Sequence, residues 1–321
     1  MVSLPDVSVV IPTRNRCRQL ERAVQSSLRQ RGVALEVLVV DDGSTDGTGQ
    51  LMSSFADPRV RYLKRAMPEG VSAARNAGIA EARGRWIAFL DDDDVWAPSK
   101  VARQLEVMTA NGRTWSYAGD VVVDGSLHVL AGRPPPPPNE VVRLLERHNS
   151  IPGGASNIIV GSQTLAAAGP FDPGLSSSED WDMWIRLARM GPPDWVCSPL
   201  VAISYHDRNA SRDMAGMLRQ LDIVGQRYAI RVDRARHFRW AAWYALLEGR
   251  RVDSTRLYGR AVAAGDVTSL GRAAVAILWP GYAVRRERPN HHSDATNPWI
   301  AEARAWLDGL AEVERRPCDH V

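Results

Sequence analysis

The chain has 321 residues, of which 45% are hydrophobic and 24% charged, with a formal net charge of +3. That composition belongs to folded globular proteins and excludes disordered and fibrous chains. The small net charge leaves no electrostatic footprint for nucleic acid, and the length admits one large domain with an appendage or two modest ones.

The first hundred residues alternate strand and helix signals, which predicts an α/β fold with a mostly parallel sheet flanked by helices. Residues 7–11, a β-branched run stopped by Pro12, predict a buried strand. Leu20, Ala23, Val24 and Leu28 carry the spacing of a helix that ends near Gly32. Residues 36–40 predict a second buried strand, ending on Asp41 and Asp42. A short helix is expected over residues 48–55 and a third strand over 60–63. Ser72 is the expected N-cap of a helix over 73–82. Residues 86–90 form a fourth strand ending on Asp91, Asp92, Asp93 and Asp94, after which Pro98 opens a helix reaching about Thr109. Residues 117–123 read as a strand closed by an Asp124-Gly125 turn, residues 156–161 as another, and residues 181–190 as a helix with an apolar stripe. The prolines at 134–138 read as a surface loop in polyproline geometry, or as a docking site for a proline-reading partner. From about Ala215 the chain reads as helical, with residues 238–248 and 254–264 forming a helical hairpin.

Ligands of open α/β sheets bind beyond the carboxyl ends of the strands, where both aspartate clusters fall. Four adjacent carboxylates repel one another unless something cationic sits among them. In an extended segment Asp91 and Asp93 would point the same way and converge on a hard divalent ion, Mg²⁺ or Mn²⁺; a solvated acidic loop is the alternative. Asp41 and Asp42 suit recognition of a nucleoside's hydroxyls or base edge. The first strand is followed by Pro12, Thr13, Arg14, Asn15 and Arg16, without a G-x-G-x-x-G or P-loop pattern, which disfavours a dehydrogenase or a P-loop NTPase. Glu179 and Asp180 open a helix, either as favourable N-terminal charges or as the source of a catalytic base. His206 is the other base candidate, unless it is structural.

In order along residues 6 to 210, these segments resemble the family 2 inverting glycosyltransferases of the GT-A fold. The opening strand with Pro12, Thr13 and Arg14, the Val39-Val40-Asp41-Asp42-Gly43-Ser44 segment and the Gly70-to-Gly78 helix all match. So do the D-x-D-like Asp91 to Asp94 cluster and the Glu179-Asp180-Trp181 acceptor motif. The resemblance implies a Rossmann-like catalytic domain over residues 1–214 with a helical extension over 215–321. It also implies metal-dependent, inverting transfer of a sugar from a nucleoside-diphosphate sugar, UDP by default, to an acceptor hydroxyl in bacterial surface glycan or glycoconjugate synthesis. Pro12, Thr13 and Arg14 would line the nucleobase pocket, and Asp42 with Asp41 would meet the base or ribose. Arg75 would reach the nucleotide or pair with a nearby aspartate. Asp91, Asp92 and Asp93 would hold the ribose and the metal, with Asp93 and Asp91 as ligands, and Asp180 would be the general base. Four aspartates in a row leave the D-x-D register open by one position. A nucleotidyltransferase and a non-catalytic nucleotide-sugar-binding scaffold are the rival readings, the former disfavoured by the missing basic, glycine-rich loop.

Three scattered cysteines, Cys17, Cys197 and Cys318, read as free thiols. No charged start and apolar core mark a signal peptide. The longest apolar stretch, residues 273–284, is broken by Pro280 and falls short of the ~20 residues that span a bilayer. A cytoplasmic protein is expected. The same stretch, flanked by Arg272, Arg285 and Arg286, is either a core-packing helix or a peripheral contact with the inner face of the plasma membrane, which would suit a lipid-linked acceptor. A growing glycan or a small molecule are the other acceptors open.

Overall fold

Strand β1 (Val7–Thr13) is buried along its whole length, because it runs between β2 (Leu35–Asp41) and β4 (Trp86–Phe89), parallel to both. Strand β3 (Val60–Lys64) extends this parallel set from β2. A computed structural model describes residues 4–205, 214–278 and 297–311. Alternate residues of β1 face two different cores. Val7, Val9 and Ile11 pack with Leu20, Ala23 and Val24 of α1 (Cys17–Leu28), whereas Val10 packs on the other face with Ala74 of α3 (Val71–Glu81). Burial on both faces is why the strand reads as a continuous apolar run instead of an alternating one. Helix α3 comes close to the sheet through Gly78, where a Cβ would stand 2.5 Å from Val10 Cγ1. The short helix α2 (Thr48–Ser54) joins β2 to β3.

Beyond β4 the chain runs through β5 (Val95–Trp96), α4 (Lys100–Asn111), β6 (Trp115–Val123), β7 (Val129–Arg133), α5 (Pro138–Leu145), a 3₁₀ turn (Gly154–Asn157), β8 (Ile159–Gly161), α6 (Ser162–Ala168), α7 (Glu179–Met190) and β9 (Asp194–Ser204). The described strands form one nine-stranded sheet in the order β3-β2-β1-β4-β8-β6-β9-β5, with β7 beside β6. The parallel character expected from the alternating pattern holds over β3-β2-β1-β4. Farther along, β8 is antiparallel to both β4 and β6, β7 is antiparallel to β6, and β6 runs parallel to β9. The β6–β7 pair is a hairpin whose turn is closed by Leu127 N–H donating to Asp124 O, and so short a connection can only join antiparallel strands.

Several local expectations shift. Helix α3 begins at Val71 after Gly70 in the left-handed region, and the Ser72 hydroxyl donates to Leu175 O instead of capping the helix. Helix α4 begins at Lys100, two residues after Pro98. The proline run is not a free loop: Pro135 is buried, Tyr117 Oη donates to Pro136 O at 2.5 Å, and Pro138 opens α5.

The remaining described helices are α8 (Met214–Tyr228), α9 (Arg234–Leu247), α10 (Arg251–Ala263), α11 (Ser269–Leu278) and α12 (Pro298–Ala311). The expected hairpin is α9–α10, joined through Gly249 at a φ of 72°. Met217, Leu221 and Val224 of α8 share a core with Trp181 and Trp184 of α7. Helix α12 returns to the sheet, packing Ile300, Ala303 and Leu307 on Val121, Val123 and Ala202. Its Trp299 lies over the glycines of β6 and β7, and the indole Nε1 donates to Asp120 O at 3.1 Å.

Candidate active site

Because β1, β2 and β4 are parallel, their carboxyl ends open on one edge, and the loops there are tied together. Asn15, held at a positive φ, accepts from Thr45 N–H through its side chain at 2.8 Å, and its own N–H donates to Ser44 Oγ at 2.9 Å. Asp41 accepts from Ser44 N–H at 2.7 Å and from the Tyr62 hydroxyl. Asp42 accepts from Arg65 at 2.8 Å and from the backbone N–H groups of Glu69 and Gly70, the latter at 2.8 Å. Both carboxylates are buried and occupied by these partners, so they shape the β2 and β3 loops from within. Pro12 is buried beside them and Arg14 is exposed.

The Asp91 to Asp94 segment is a tight turn, closed by Asp94 N–H donating to Asp91 O at 3.2 Å, and not the extended run expected. Alternation along a strand therefore does not bring Asp91 and Asp93 together. Asp91 accepts from Arg75 at 2.6 Å. Asp92 accepts from the Thr13 hydroxyl at 2.7 Å and from Arg16 at 3.1 Å, and the same Arg16 nitrogen reaches Asp93 at 2.5 Å. Asp94 is the inner member, accepting from the Ser156 hydroxyl at 2.5 Å and from Ser204 N–H at 3.0 Å. Burial first, and then the charge on Asp93, push Asp92 up to about 7 and Asp94 well above the usual carboxylate range. The turn carries more negative charge than Arg16 and Arg75 relieve. Arg16 was absent from the sequence candidates; its signal was its place in the loop that follows β1.

Arg75, only 3% exposed, carries this turn across to α7. Its Nη1 donates to Glu179 Oε1 at 2.8 Å, and its guanidinium lies 5.4 Å from the Phe171 ring. Glu179 Oε2 is buried without a hydrogen-bond partner. The next residue, Asp180, is half-buried and accepts from Asn149 Nδ2 at 2.8 Å and from Trp181 N–H at 2.6 Å. Burial first, and then the Glu179 charge, push Asp180 up to about 7, while Arg75 opposes the shift. A carboxylate poised near neutrality suits proton transfer. Gly154, at a φ of 52°, backs the site, since a Cβ there would stand 3.2 Å from Asp180 Oδ2. Asn149 and Gly154 were not among the sequence candidates, for they lie in an irregular stretch whose role depends on what it touches. Trp181 proves to be a core residue, its indole donating to Leu145 O at 2.8 Å, so the motif's tryptophan anchors α7. His206 lies outside the described residues.

No group of three or more His, Cys, Asp or Glu side chains converges as a ready metal cage among the described residues. Mg²⁺ is usually held by one or two carboxylates together with substrate phosphates and water. Asp91 and Asp93, the more exposed members of an over-charged turn, fit that mode.

The parallel strands β3-β2-β1-β4 and the acidic residues at their carboxyl ends define an α/β protein, and that edge is where open α/β sheets take their ligands. The chain belongs to glycosyl transferase family 2, whose family model matches residues 8–150. It is 46% identical over 109 residues to the succinoglycan biosynthesis protein ExoO of Rhizobium meliloti (strain 1021), a match that covers 34% of this chain and 31% of that protein. It is also 25% identical over 222 residues to an Escherichia coli protein, covering 68% of this chain and 85% of the relative. That relative is named UDP-Glc:alpha-D-GlcNAc-diphosphoundecaprenol beta-1,3-glucosyltransferase WfgD. The chain spans about a third of the length of several curated relatives it matches. Among solved structures, residues 1–349 of S. aureus TarS in complex with UDP-GlcNAc share the fold, with a TM-score of 0.57 and 15% identity over 95% of this chain and 92% of that one.

Proposed function

We propose that this protein is a metal-dependent, inverting glycosyltransferase that moves a sugar from a UDP-sugar to an acceptor hydroxyl in bacterial surface glycan synthesis. The observation that carries the reading is the linkage of two acidic stations, the Asp91–Asp94 turn and the Glu179-Asp180 start of α7, through Arg75, which donates to both Asp91 and Glu179. Thr13, Arg14 and Pro12, with the loops that Asp41 and Asp42 brace, receive the nucleoside, and Asp92 and Arg75 border the diphosphate. Asp91 and Asp93 would hold Mn²⁺ or Mg²⁺, a Lewis acid that neutralises charge on the departing diphosphate. Asp180 takes the proton of the acceptor hydroxyl as it attacks the anomeric carbon, and a single displacement inverts that centre. The uridine donor is supported by the UDP-GlcNAc bound to TarS and by the donor in the name of the E. coli relative.

In this reading residues 1–214 bind the donor, and the helices beyond them contribute to the acceptor side. A lipid-linked acceptor is supported by the diphosphoundecaprenol in that relative's name and by α11, which exposes Leu270, Ile277 and Leu278. No described helix is long and apolar enough to cross a membrane. Peripheral attachment at the cytoplasmic face through this apolar helix is the arrangement we propose, and flotation of the full chain with anionic liposomes tests it.

The test of the reaction is calorimetry of UDP, GDP and dTDP with and without Mn²⁺, paired with transfer assays. Asp93→Asn is expected to abolish metal-dependent binding of the favoured nucleotide. Asp180→Asn is expected to keep that binding and lower transfer by ~10²–10⁴-fold, the usual worth of a general base. Undiminished turnover of Asp180→Asn would remove Asp180 from the mechanism. Tight nucleotide binding with neither transfer nor donor hydrolysis would make the protein a binding scaffold.

A further inference from the structure

Helix α9 carries an aromatic group that the reaction as described does not use. Trp240 and Tyr244 are one helical turn apart, with ring centroids separated by 4.5 Å. Tyr244 also meets Trp243 at 4.9 Å and Tyr205 at 5.2 Å. Trp243 is buried and anchors the group, whereas Trp240 is 37% exposed.

This group adjoins the catalytic edge. Tyr205 directly follows Ser204, whose N–H donates to Asp94 and whose hydroxyl donates to Asp93 O. Tyr205 N–H in turn donates to Val123 O at 2.8 Å. On the other flank Arg133 grips Asp120 with two nitrogens, at 2.7 and 2.5 Å. Burial works against the Arg133 charge and Asp120 outweighs it, while Tyr244 and Asp94 lie close enough to Arg133 to interact with it. Gly153 and Gly154 close the arc, because a Cβ on the first would stand 3.0 Å from Asp120 Oδ2 and on the second 3.2 Å from Asp180 Oδ2. Glycine backbone, then the Arg133–Asp120 ion pair, then the aromatic rings thus form a chain of contacts that links the surroundings of Asp180 to those of Asp93.

We propose that Trp240, Tyr244 and Tyr205, flanked by the Arg133–Asp120 pair, form the acceptor subsite and take a pyranose ring stacked by its C–H face on the Trp240 indole. A pyranose has an apolar C–H face and a rim of hydroxyls. The subsite matches it with the exposed indole of Trp240 and, beside the rings, the part-exposed guanidinium of Arg133, which the fully buried Asp120 carboxylate holds in place. Gly154 places bare backbone, with no side chain, beside the Asp180 carboxylate. This assignment rests on the glycosyltransferase reading.

The experiment is saturation-transfer NMR and kinetics on the full chain with UDP and Mg²⁺, using a short alkyl diphosphate-linked N-acetylglucosamine as the acceptor probe. The probe's ring protons are expected to receive saturation from wild type and to lose it in Trp240→Ala. In transfer assays Trp240→Ala is expected to raise the acceptor KM roughly tenfold, the scale of one lost aromatic contact, with UDP affinity within about twofold of wild type. Trp240→Phe restores most of the acceptor affinity. Equal saturation of the probe in wild type and Trp240→Ala would overturn the subsite. So would an unchanged acceptor KM with a lowered Tm in both variants, since the rings would then only seat another part of the chain. A wild-type protein that binds nucleotide but shows no ring saturation defeats this inference alone, whereas one that binds no nucleotide defeats the transferase reading beneath it.

Discussion

Arg75 Nη2 lies 2.6 Å from Asp91 Oδ1, and this part-buried ion pair is where the acidic turn after β4 is tied towards helix α7. The other arm of the guanidinium holds Glu179, so one α3 side chain fixes the spacing between the turn and the Asp180 carboxylate.

Arg75→Met should therefore do more than remove a charge. It would leave Glu179 buried without a counter-charge, and breaking one side of such a pair costs about 3–5 kcal/mol. Arg75→Lys should recover only part of this, because a single ammonium cannot serve two carboxylates in the fork geometry of a guanidinium. Denaturant unfolding of the two variants beside wild type measures both effects.

The pH dependence of transfer follows from Asp180. Its carboxyl is pushed up to about 7, so the proton-accepting form is lost as pH falls through that value. Asn149 Nδ2 donates to the charged form, and its removal should raise the Asp180 pKa further. Asn149→Ala is expected to move the acid limb of the kcat/KM profile to higher pH and leave UDP affinity unchanged. A limb that stays in place would show that Asn149 only braces its loop.

The same shift has a consequence for stability. A carboxyl whose folded pKa is raised binds its proton more tightly when folded. Its contribution is thus fully present below the unfolded value near 4 and is lost as pH rises through about 7. Asp180→Asn should accordingly be more stable than wild type at pH 8 and closer to it at pH 5, which thermal unfolding at the two pH values would reveal.

Lys100 is fully buried on α4, with Nζ 4.0 Å from the Trp96 ring centroid and no hydrogen-bond partner. Burial pushes its pKa well below the ordinary value, so at neutral pH the fold bears the cost of discharging or desolvating the amine. Lys100→Met keeps the length and removes that cost. An increase in stability of about 1–3 kcal/mol is expected by chemical denaturation.

Helix α12 rests on a contact that only glycine permits. A Cβ on Gly119 would stand 2.2 Å from the Trp299 ring. Gly119→Ala should displace Trp299 and loosen α12, destabilising the protein by about 1–3 kcal/mol as overpacking does. Faster amide exchange across residues 298–311 would accompany it.

Much of this protein is determined by local sequence. A short continuous apolar run bounded by turn residues reads as an inner strand, so β1, β2 and β4 are visible as such, and carboxylates at their ends mark the edge that opens to a ligand. The apolar period of α7 and the acids at its start are local in the same sense. What tertiary structure alone decided are the partners of those carboxylates. Arg75 and Glu179 stand 104 positions apart, and Asn149 and Asp180 stand 31 apart, and nothing periodic announces either pair. The shape of the Asp91–Asp94 turn, the second half of the sheet and the return of α12 belong to the same class. Periodicity reports which face of an element is buried, whereas the identity of what buries it depends on the path of the whole chain. At this site that path sets the charge, proton affinity and spacing of the functional groups.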